Sequence, residues 1–506
     1  MDLQQSYMKN AAILTTTGLF LRAVGMLFRI YVAGRIGAEG MGLYQLIYSV
    51  YSMAITLATG GLTICTTCVV TDTLSSGKGT ARAMQRILTL GIVLGISSGI
   101  ILFLSSDILS IYILADKRAA LSLRILAPSL PFMALSAALR GYFIAKRCVS
   151  PNVRAQIAEQ MIRIALVASI FYFYAPTNTQ NACAAVLLGN TVSEACSWIY
   201  MNFCYNRDIA LTHESSHLYT SPRLLHILLP ISANMYLTSF LRAIENVIVP
   251  ACLTEYTLQR DIALAEYGAL KGMAMPVIFF PFSLLISLST LLMPEITEAF
   301  VRRKPKKLEY LVRRVLKITC ILSILAGCLF TLFSQEIAFV LYKDNAIGFY
   351  LRVLGPIMPI MYLESIVDGI LKGMDEQIAT FKYSIVDSIL RIVLIILLLP
   401  KFGMKGFLFI MLVSNLFTGA LNIQRLLKVT QIKFDWKQWT VKPLVACIAV
   451  GVALKYAARP LLFMCLPLSA WIIISGLASC CIYFVVLWLL GGFEITELLQ
   501  INRKKL

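Results

Sequence analysis

Apolar runs of about 20 to 25 residues recur along the whole chain, and no other feature restricts its fold so strongly. A helix of that length crosses a hydrocarbon layer roughly 30 Å thick. Inside lipid every backbone N–H and C=O must be satisfied by the protein itself, so such runs predict helices and exclude open sheets. Fourteen runs are read, near 10–33, 41–71, 83–105, 119–145, 151–174, 181–205, 222–252, 265–296, 310–333, 346–371, 377–399, 403–427, 440–462 and 464–491. The longest polar intervals, 206–221 and 297–309, are too short to bury a core of their own. A separate water-facing catalytic domain is therefore not expected, and the chain is not read as an enzyme.

Charge placement refines this picture. With 58% hydrophobic and 14% charged residues and a mean hydropathy of +0.78, the chain reads as an all-α integral membrane protein. Its net charge of +19 would suggest nucleic acid in a soluble protein. Here the lysines and arginines gather in alternate loops, which is the positive-inside bias and implies that both termini are cytoplasmic. No nucleic-acid partner is expected. The strongest block, "RRKPKK" at 302–307 followed by Arg313, Arg314 and Lys317, is expected at the inner surface among anionic lipid headgroups. Lys9 precedes the first run as in a signal peptide, but Arg22 interrupts that run, so it reads as an uncleaved span. Cysteines such as Cys65, Cys68, Cys183, Cys480 and Cys481 fall within spans and read as small packing residues.

The chain also repeats itself. Shifted by 228 residues, "RILAPSLPFM" at 124–133 lies over "RVLGPIMPIM" at 352–361. Pro128 meets Pro356 and Pro131 meets Pro359, while Gly141 falls on Gly369, Glu159 on Asp387 and Arg163 on Arg391. With small changes of offset, "FLRA" at 20–23 recurs at 240–243, and Gly42 with Thr71-Asp72 parallels Gly268 with Thr297-Glu298. Spans one to six are thus duplicated in spans seven to twelve. Because six is even, both copies enter the membrane in the same direction, the parallel-repeat arrangement of transporters. The expected organisation is an N-lobe over 1–205, a cytoplasmic linker over 206–221, a C-lobe over 222–428, and two further helices with a tail over 429–506. Each lobe carries a P-x-x-P, at Pro128 and Pro131 or at Pro356 and Pro359, that can kink a helix and serve as a hinge.

Charges inside spans are costly against lipid and must face water, the other lobe or a partner. Glu159 with Arg163, and Asp387 with Arg391, have the acid-first i, i+4 spacing and can pair on their own helices. Arg140, Glu194, Glu364 and Asp368 join them as coupling or lobe-interface charges. Arg22 and Arg29 stand seven residues apart in a first span that offers no acidic residue. Three readings stay open for them: contact with an anionic substrate, pairing with Glu194, Glu364 or Asp368, or a position at a helix end. Guanidinium suits phosphate through bidentate hydrogen bonds, which favours the first. Arg242, the repeat counterpart of Arg22, has Glu245 three residues on, and both are assigned to the same cavity.

"HESSH" at 213–217 fits the zinc-protease pattern H-E-x-x-H, but it lies in a Ser/Thr-rich interval with no marked third ligand. No metal site and no other cofactor is expected, and no Walker-type loop for ATP is present.

"LRAVGMLFRI" followed by "RIGAEGMGLYQLIYSVYSMAITLATGG" at 35–61, together with fourteen spans and the six-plus-six duplication, resembles the polysaccharide-transport branch of the MOP exporter superfamily. The resemblance covers nearly the whole chain. It implies a MATE-like fold of two six-helix lobes plus two extra C-terminal helices, and transport of lipid-linked sugars. In the family's lipid II flippase, arginines of the first span line the central cavity; Arg22 matches one through its following A-V-G, and Arg29 matches another approximately. That flippase also carries an acidic and a basic residue in its second span, whereas here no charge occurs from Met41 until Asp72.

The expectation is an alternating-access flippase in the bacterial cytoplasmic membrane. Its cargo would be an undecaprenyl-linked saccharide, for spore cortex peptidoglycan or another envelope polymer. The coupling ion, H+ or Na+, and the oligomeric state are open. The alternatives are a cation-coupled multidrug exporter of the same fold and a non-transporting scaffold of an envelope-assembly complex. Cationic drugs favour acidic, aromatic-lined pockets, whereas the unpaired charge expected in this cavity is positive.

Overall fold

The structure, a computed structural model, describes residues 2–76, 79–174, 176, 178–211, 223–432, 435–453 and 468–492. The "HESSH" segment and most of the 206–221 linker lie outside the described residues. Among those residues there is no strand. The helices are α1 (Asp2–Thr59), α2 (Leu62–Ser75), α3 (Ala81–Ile108), α4 (Ala119–Leu126), α5 (Ser129–Ala145), α6 (Ser150–Phe173), α7 (Thr179–Leu211) and α8 (Arg223–Thr257). They continue with α9 (Arg260–Tyr267), α10 (Met275–Val301), α11 (Pro305–Leu332), α12 (Ser334–Tyr342), α13 (Ala346–Leu354), α14 (Met358–Gly373), α15 (Gln377–Thr430), α16 (Lys442–Ala453) and α17 (Leu468–Leu489).

Among the described residues nine helices are long and apolar enough to cross a membrane, ten if the bent pair α4 and α5 is one span. The first, Thr16–Ser75, is 60 residues long and contains two of the expected spans. Large apolar side chains such as Leu27, Ile101, Leu104 and Ile448 are exposed. Such a surface is costly in water and suited to lipid.

Glycine and proline set the breaks. α1 passes through Gly37 at φ 70 and ψ −179, a conformation essentially reserved for glycine. The second expected span, 41–71, is not continuous: α1 ends at Thr59 and α2 begins at Leu62, with Gly61 left-handed at φ 76. The Gly60 carbonyl, released from the helical ladder, accepts a hydrogen bond from Ser232 Oγ at 2.8 Å. α15 is likewise two helices joined at Gly403, φ 56, where a Cβ would lie 2.5 Å from the Tyr256 ring. α4 and α5 meet at a 41° bend next to Pro128. At the repeated position Gly355–Ile357 forms a 3-10 turn between α13 and α14. A proline lacks the N–H that would continue the ladder, so both copies break where the sequence places the P-x-x-P.

Two compact units result, Met1–Gly272 with Ile395–Gly403 and Met273–Leu394 with Met404–Leu506. In the first, α8 and α9 pack on α1. Gly42 and Gly268 make that packing possible, because a Cβ on either would overlap backbone of the facing helix. The core of this unit includes Leu43, Ile47, Met84, Leu123, Leu139 and Tyr142, all essentially inaccessible. In the second unit the two C-terminal helices α16 and α17 rest against α11: Tyr483 Oη donates to the Ile321 carbonyl at 2.9 Å, and Trp471 packs edge-on to Phe333.

Candidate functional site

Inside the first unit, α5, α6 and α7 bring four charges together. Glu159 accepts from Arg163 one turn later at 2.7 Å, as the i, i+4 spacing predicts, and with its other oxygen from Arg140 at 3.1 Å. Arg163 also donates to Ser193 Oγ at 3.3 Å and stands 3.7 Å from Glu194, whose side chain is 7% exposed. A single carboxylate therefore bridges two guanidiniums, and the second carboxylate lies beside one of them. Arg140 Nε is buried without a hydrogen-bond partner.

Arg140 and Glu194 also face a cavity of about 280 Å³, whose other polar lining comes from Thr59, Gly61, Thr63 and Ser136. Ser136 Oγ is a second buried polar atom without a partner. Orphaned polar groups of this kind are rare in folded proteins and ask for a ligand or water. Along α1, Tyr48 lies within electrostatic reach of Arg29, Arg163 and Glu194. This interior thus holds three arginines, Arg29, Arg140 and Arg163, against two carboxylates, Glu159 and Glu194, a surplus of positive charge.

The remaining predicted residues are distributed as follows. Arg22 is exposed and Arg29 half-buried on the same helix. On α8, Arg242 is exposed whereas Glu245 is 5% exposed and lies near Tyr267. In the second unit Asp387 pairs with Arg391 and accepts from Ser414 Oγ at 2.6 Å. Asp368 pairs with Lys372 at 2.6 Å, and Glu364 accepts from Asn422 Nδ2 at 3.3 Å and Ser365 Oγ at 3.4 Å. Three carboxylates stand here against two cations, the reverse of the balance in the first unit. Arg302, Arg303, Lys304, Lys306 and Lys307 of the basic block are exposed.

Sequence reasoning missed several residues. Arg118, in the turn before α4, gathers Glu39 at 2.6 Å, Asp116 at 2.9 Å and Asp261 at 3.1 Å, with Arg260 3.9 Å from Asp116. The bonds from Asp116 raise the Arg118 pKa against the opposing effect of desolvation, and Glu39 adds to the rise. Glu39 lies in α1 and Asp261 in α9, and only the fold brings them to Arg118. Tyr44, Tyr48 and Tyr51 form a ladder on one face of α1, with ring centroids 6.0 Å apart at each step. Their i, i+4, i+7 spacing is visible in "YQLIYSVY".

Comparison with known proteins fits this architecture. Stage V sporulation protein B of Bacillus subtilis (strain 168) is 25% identical over 513 residues, covering 98% of each chain. The lipid II flippase MurJ of the same organism is 21% identical and covers 88% of each. Among solved structures, the lipid II flippase MurJ in an inward closed conformation superposes with a TM-score of 0.70 at 13% identity, covering 94% of this chain and 98% of that one. An inward-facing multidrug resistance MATE transporter of the MOP superfamily gives 0.68 at 13% identity, covering 84% and 100%. The MatE family profile matches residues 230–397, and that of the polysaccharide biosynthesis protein family matches 7–300. With more than half of its residues inside the latter profile, the chain belongs to the polysaccharide biosynthesis protein family.

Proposed function

We propose that this protein is an alternating-access flippase that carries the phosphate-bearing headgroup of a prenyl-linked saccharide across the bacterial cytoplasmic membrane. The observation that carries this reading is the surplus of guanidinium in the first unit, with Arg140 lining a cavity and its Nε buried and unpartnered. A partly desolvated excess of guanidinium favours an anion, and guanidinium suits phosphate through bidentate hydrogen bonds. In this reading Arg29 and Arg22 receive the headgroup from the inner leaflet, with Arg242 and Glu245 on the partner repeat. The prenyl tail stays in the bilayer. The lobes are the two sequence repeats, the proline breaks at Pro128, Pro131, Pro356 and Pro359 are their hinges, and both termini are cytoplasmic. The exposed basic residues 302–307, with Arg313, Arg314 and Lys317 beyond them, rest on anionic lipid of the inner leaflet.

Outward movement of a negative headgroup runs with the inside-negative potential, worth about 2.3 kcal/mol per charge per 100 mV. The acidic surplus around Glu364, Asp368 and Asp387 is the place for a coupled H+ or Na+ in an ion-driven cycle. The names of the relatives add direction, since one is a lipid II flippase and another a stage V sporulation protein. They support a peptidoglycan precursor, for spore cortex or another envelope polymer, as the cargo.

The test is a headgroup-protection assay in liposomes that contain the purified chain and a prenyl-pyrophosphate glycan labelled on its sugar. The wild type is expected to move label between leaflets, Arg29→Ala to lose roughly 2 kcal/mol of headgroup binding, and Arg29→Lys to fall between them. Full transport by Arg29→Ala and by Arg22→Ala, at normal protein levels, would sink the reading.

A further inference from the structure

We propose that the first unit contains a saccharide-binding site made of the Tyr44–Tyr48 ring pair and the adjoining cavity lined by Ser136, Arg140 and Glu194. The proposal rests on the flippase reading above and specifies which part of the cargo binds where.

The geometry of the tyrosines comes first. Tyr44 and Tyr48 are stacked, with planes 18° apart, and Tyr48 meets Tyr51 at 66°. The ladder is anchored at its base, because Tyr51 is 1% exposed and its hydroxyl lies 2.5 Å from Ser129 Oγ and 3.4 Å from Asn190 Nδ2. Tyr48 is different: 39% of its surface is accessible. Tyrosines of transmembrane helices commonly sit at the lipid headgroup level. Tyr48 instead lies within electrostatic reach of Arg29, Arg163 and Glu194, groups that hydrocarbon does not solvate, and at the base of the ladder Tyr51 Oη donates at 3.2 Å to Met133, which lines the cavity. Its ring is partly accessible within a charged interior.

Such a face has a specific use. The π-face of an aromatic ring is electronegative, and the C–H bonds on the flat side of a pyranose are weakly positive. A sugar ring therefore stacks on tyrosine while its rim hydroxyls point sideways to hydrogen-bonding groups. Such groups are present, since Glu194 lines the cavity and lies within electrostatic reach of Tyr48. The cavity is lined by Glu194 and Arg140, a carboxylate and a guanidinium, while Arg140 Nε and Ser136 Oγ of its lining residues are themselves buried and without partners. At about 280 Å³ it is near the lower end of small-molecule sites, suited to a sugar ring more than to a whole oligosaccharide. In the flippase reading Arg29, within electrostatic reach of Tyr48, holds the phosphate to which that sugar is joined.

The experiment measures binding of two probes to the full chain in lipid nanodiscs: undecaprenyl pyrophosphate, and the same lipid carrying one N-acetylhexosamine. The wild type is expected to bind the sugar-bearing lipid about five- to tenfold more tightly, the scale of one aromatic contact. Tyr48→Leu, which keeps apolar bulk but removes the ring face, should erase this preference and leave affinity for the sugarless lipid within about twofold. Tyr48→Phe should retain the preference. Equal binding of both probes by the wild type, or a preference that survives Tyr48→Leu, overturns the site while leaving the flippase reading intact. Parallel loss of both affinities in Tyr48→Leu assigns the residue to packing and also overturns the site. A wild type that binds neither lipid removes the flippase reading, and the proposed site falls with it.

Discussion

Gly42 and Gly268 hold equivalent places in the two copies of the duplicated sequence, and in the folded chain they lie against each other. A Cβ on Gly268 would overlap the Ala38 carbonyl oxygen and the Gly42 nitrogen, and one on Gly42 would overlap the Leu264 carbonyl. The repeat-related glycines thus allow α1 and the turn that follows α9 to approach backbone to backbone. That turn, Gly268–Ala274, is wound as a π-helix, which widens the coil where the two segments press together.

Gly268→Ala therefore forces apart backbone that has no flexible side chain to yield. A destabilisation of about 1 to 3 kcal/mol is expected, as for other overpacked sites. It should be visible as a lowered thermal midpoint of the detergent-solubilised protein. Gly34→Ala, at a glycine with nothing within 4 Å of the added Cβ, is the control and should leave the midpoint within error.

Arg118 makes a second prediction, since it collects carboxylates from α1, from its own turn and from α9. Arg118→Ala strands Asp116, whose side chain is 5% exposed, with Arg260 as a cation 3.9 Å away. Nearby, Cys183 is fully buried, and its thiol donates to the Gly40 carbonyl at 3.3 Å. Loosening of this end by about 1 to 2 kcal/mol should speed maleimide labelling of Cys183 roughly tenfold. Mass spectrometry of labelled peptides gives the rate at each cysteine separately. An unchanged rate at Cys183 would show that the hub does not close this end.

The third prediction concerns Asp387, 4% exposed, which Arg391 and Ser414 hold in the second unit. Arg391→Ala leaves a nearly buried carboxylate held by one hydroxyl. Removing one partner of a buried pair costs about 3 kcal/mol, the lower figure because Arg391 itself is partly accessible. Arg391→Ala should lower the thermal midpoint more than the double variant Asp387→Asn with Arg391→Ala. The opposite order would mean that the pair contributes through packing alone.

Local features of the sequence foretold much of this structure. Hydropathy gave the helices, the repeated P-x-x-P gave the breaks near Pro128 and Pro356, and the i, i+4 spacing gave Glu159–Arg163 and Asp387–Arg391. The break at Gly60–Gly61 was also signalled by its two adjacent glycines but was masked by the apolar residues on either side. What periodicity cannot convey is pairing across distance. Arg140 meets Glu159 across 19 positions, Arg118 meets Glu39 across 79 and Asp261 across 143. Asn422 reaches Glu364 across 58. Each contact depends on which helix lies beside which, information that resides in the packing of whole helices and not in any one segment.

The interruption at Gly61 has an electrostatic consequence of its own. α2 starts there, with no side chain capping its first turn, and Gly61 and Thr63 both line the polar cavity. The opening N–H groups of a helix carry the positive end of its macrodipole, equivalent to roughly half an elementary charge. This backbone charge stands beside Arg140 in surroundings of low dielectric, where it is felt more strongly than in water. It neither titrates nor disappears when an arginine is replaced, so the cavity keeps part of its attraction for anions in every side-chain variant that preserves the break.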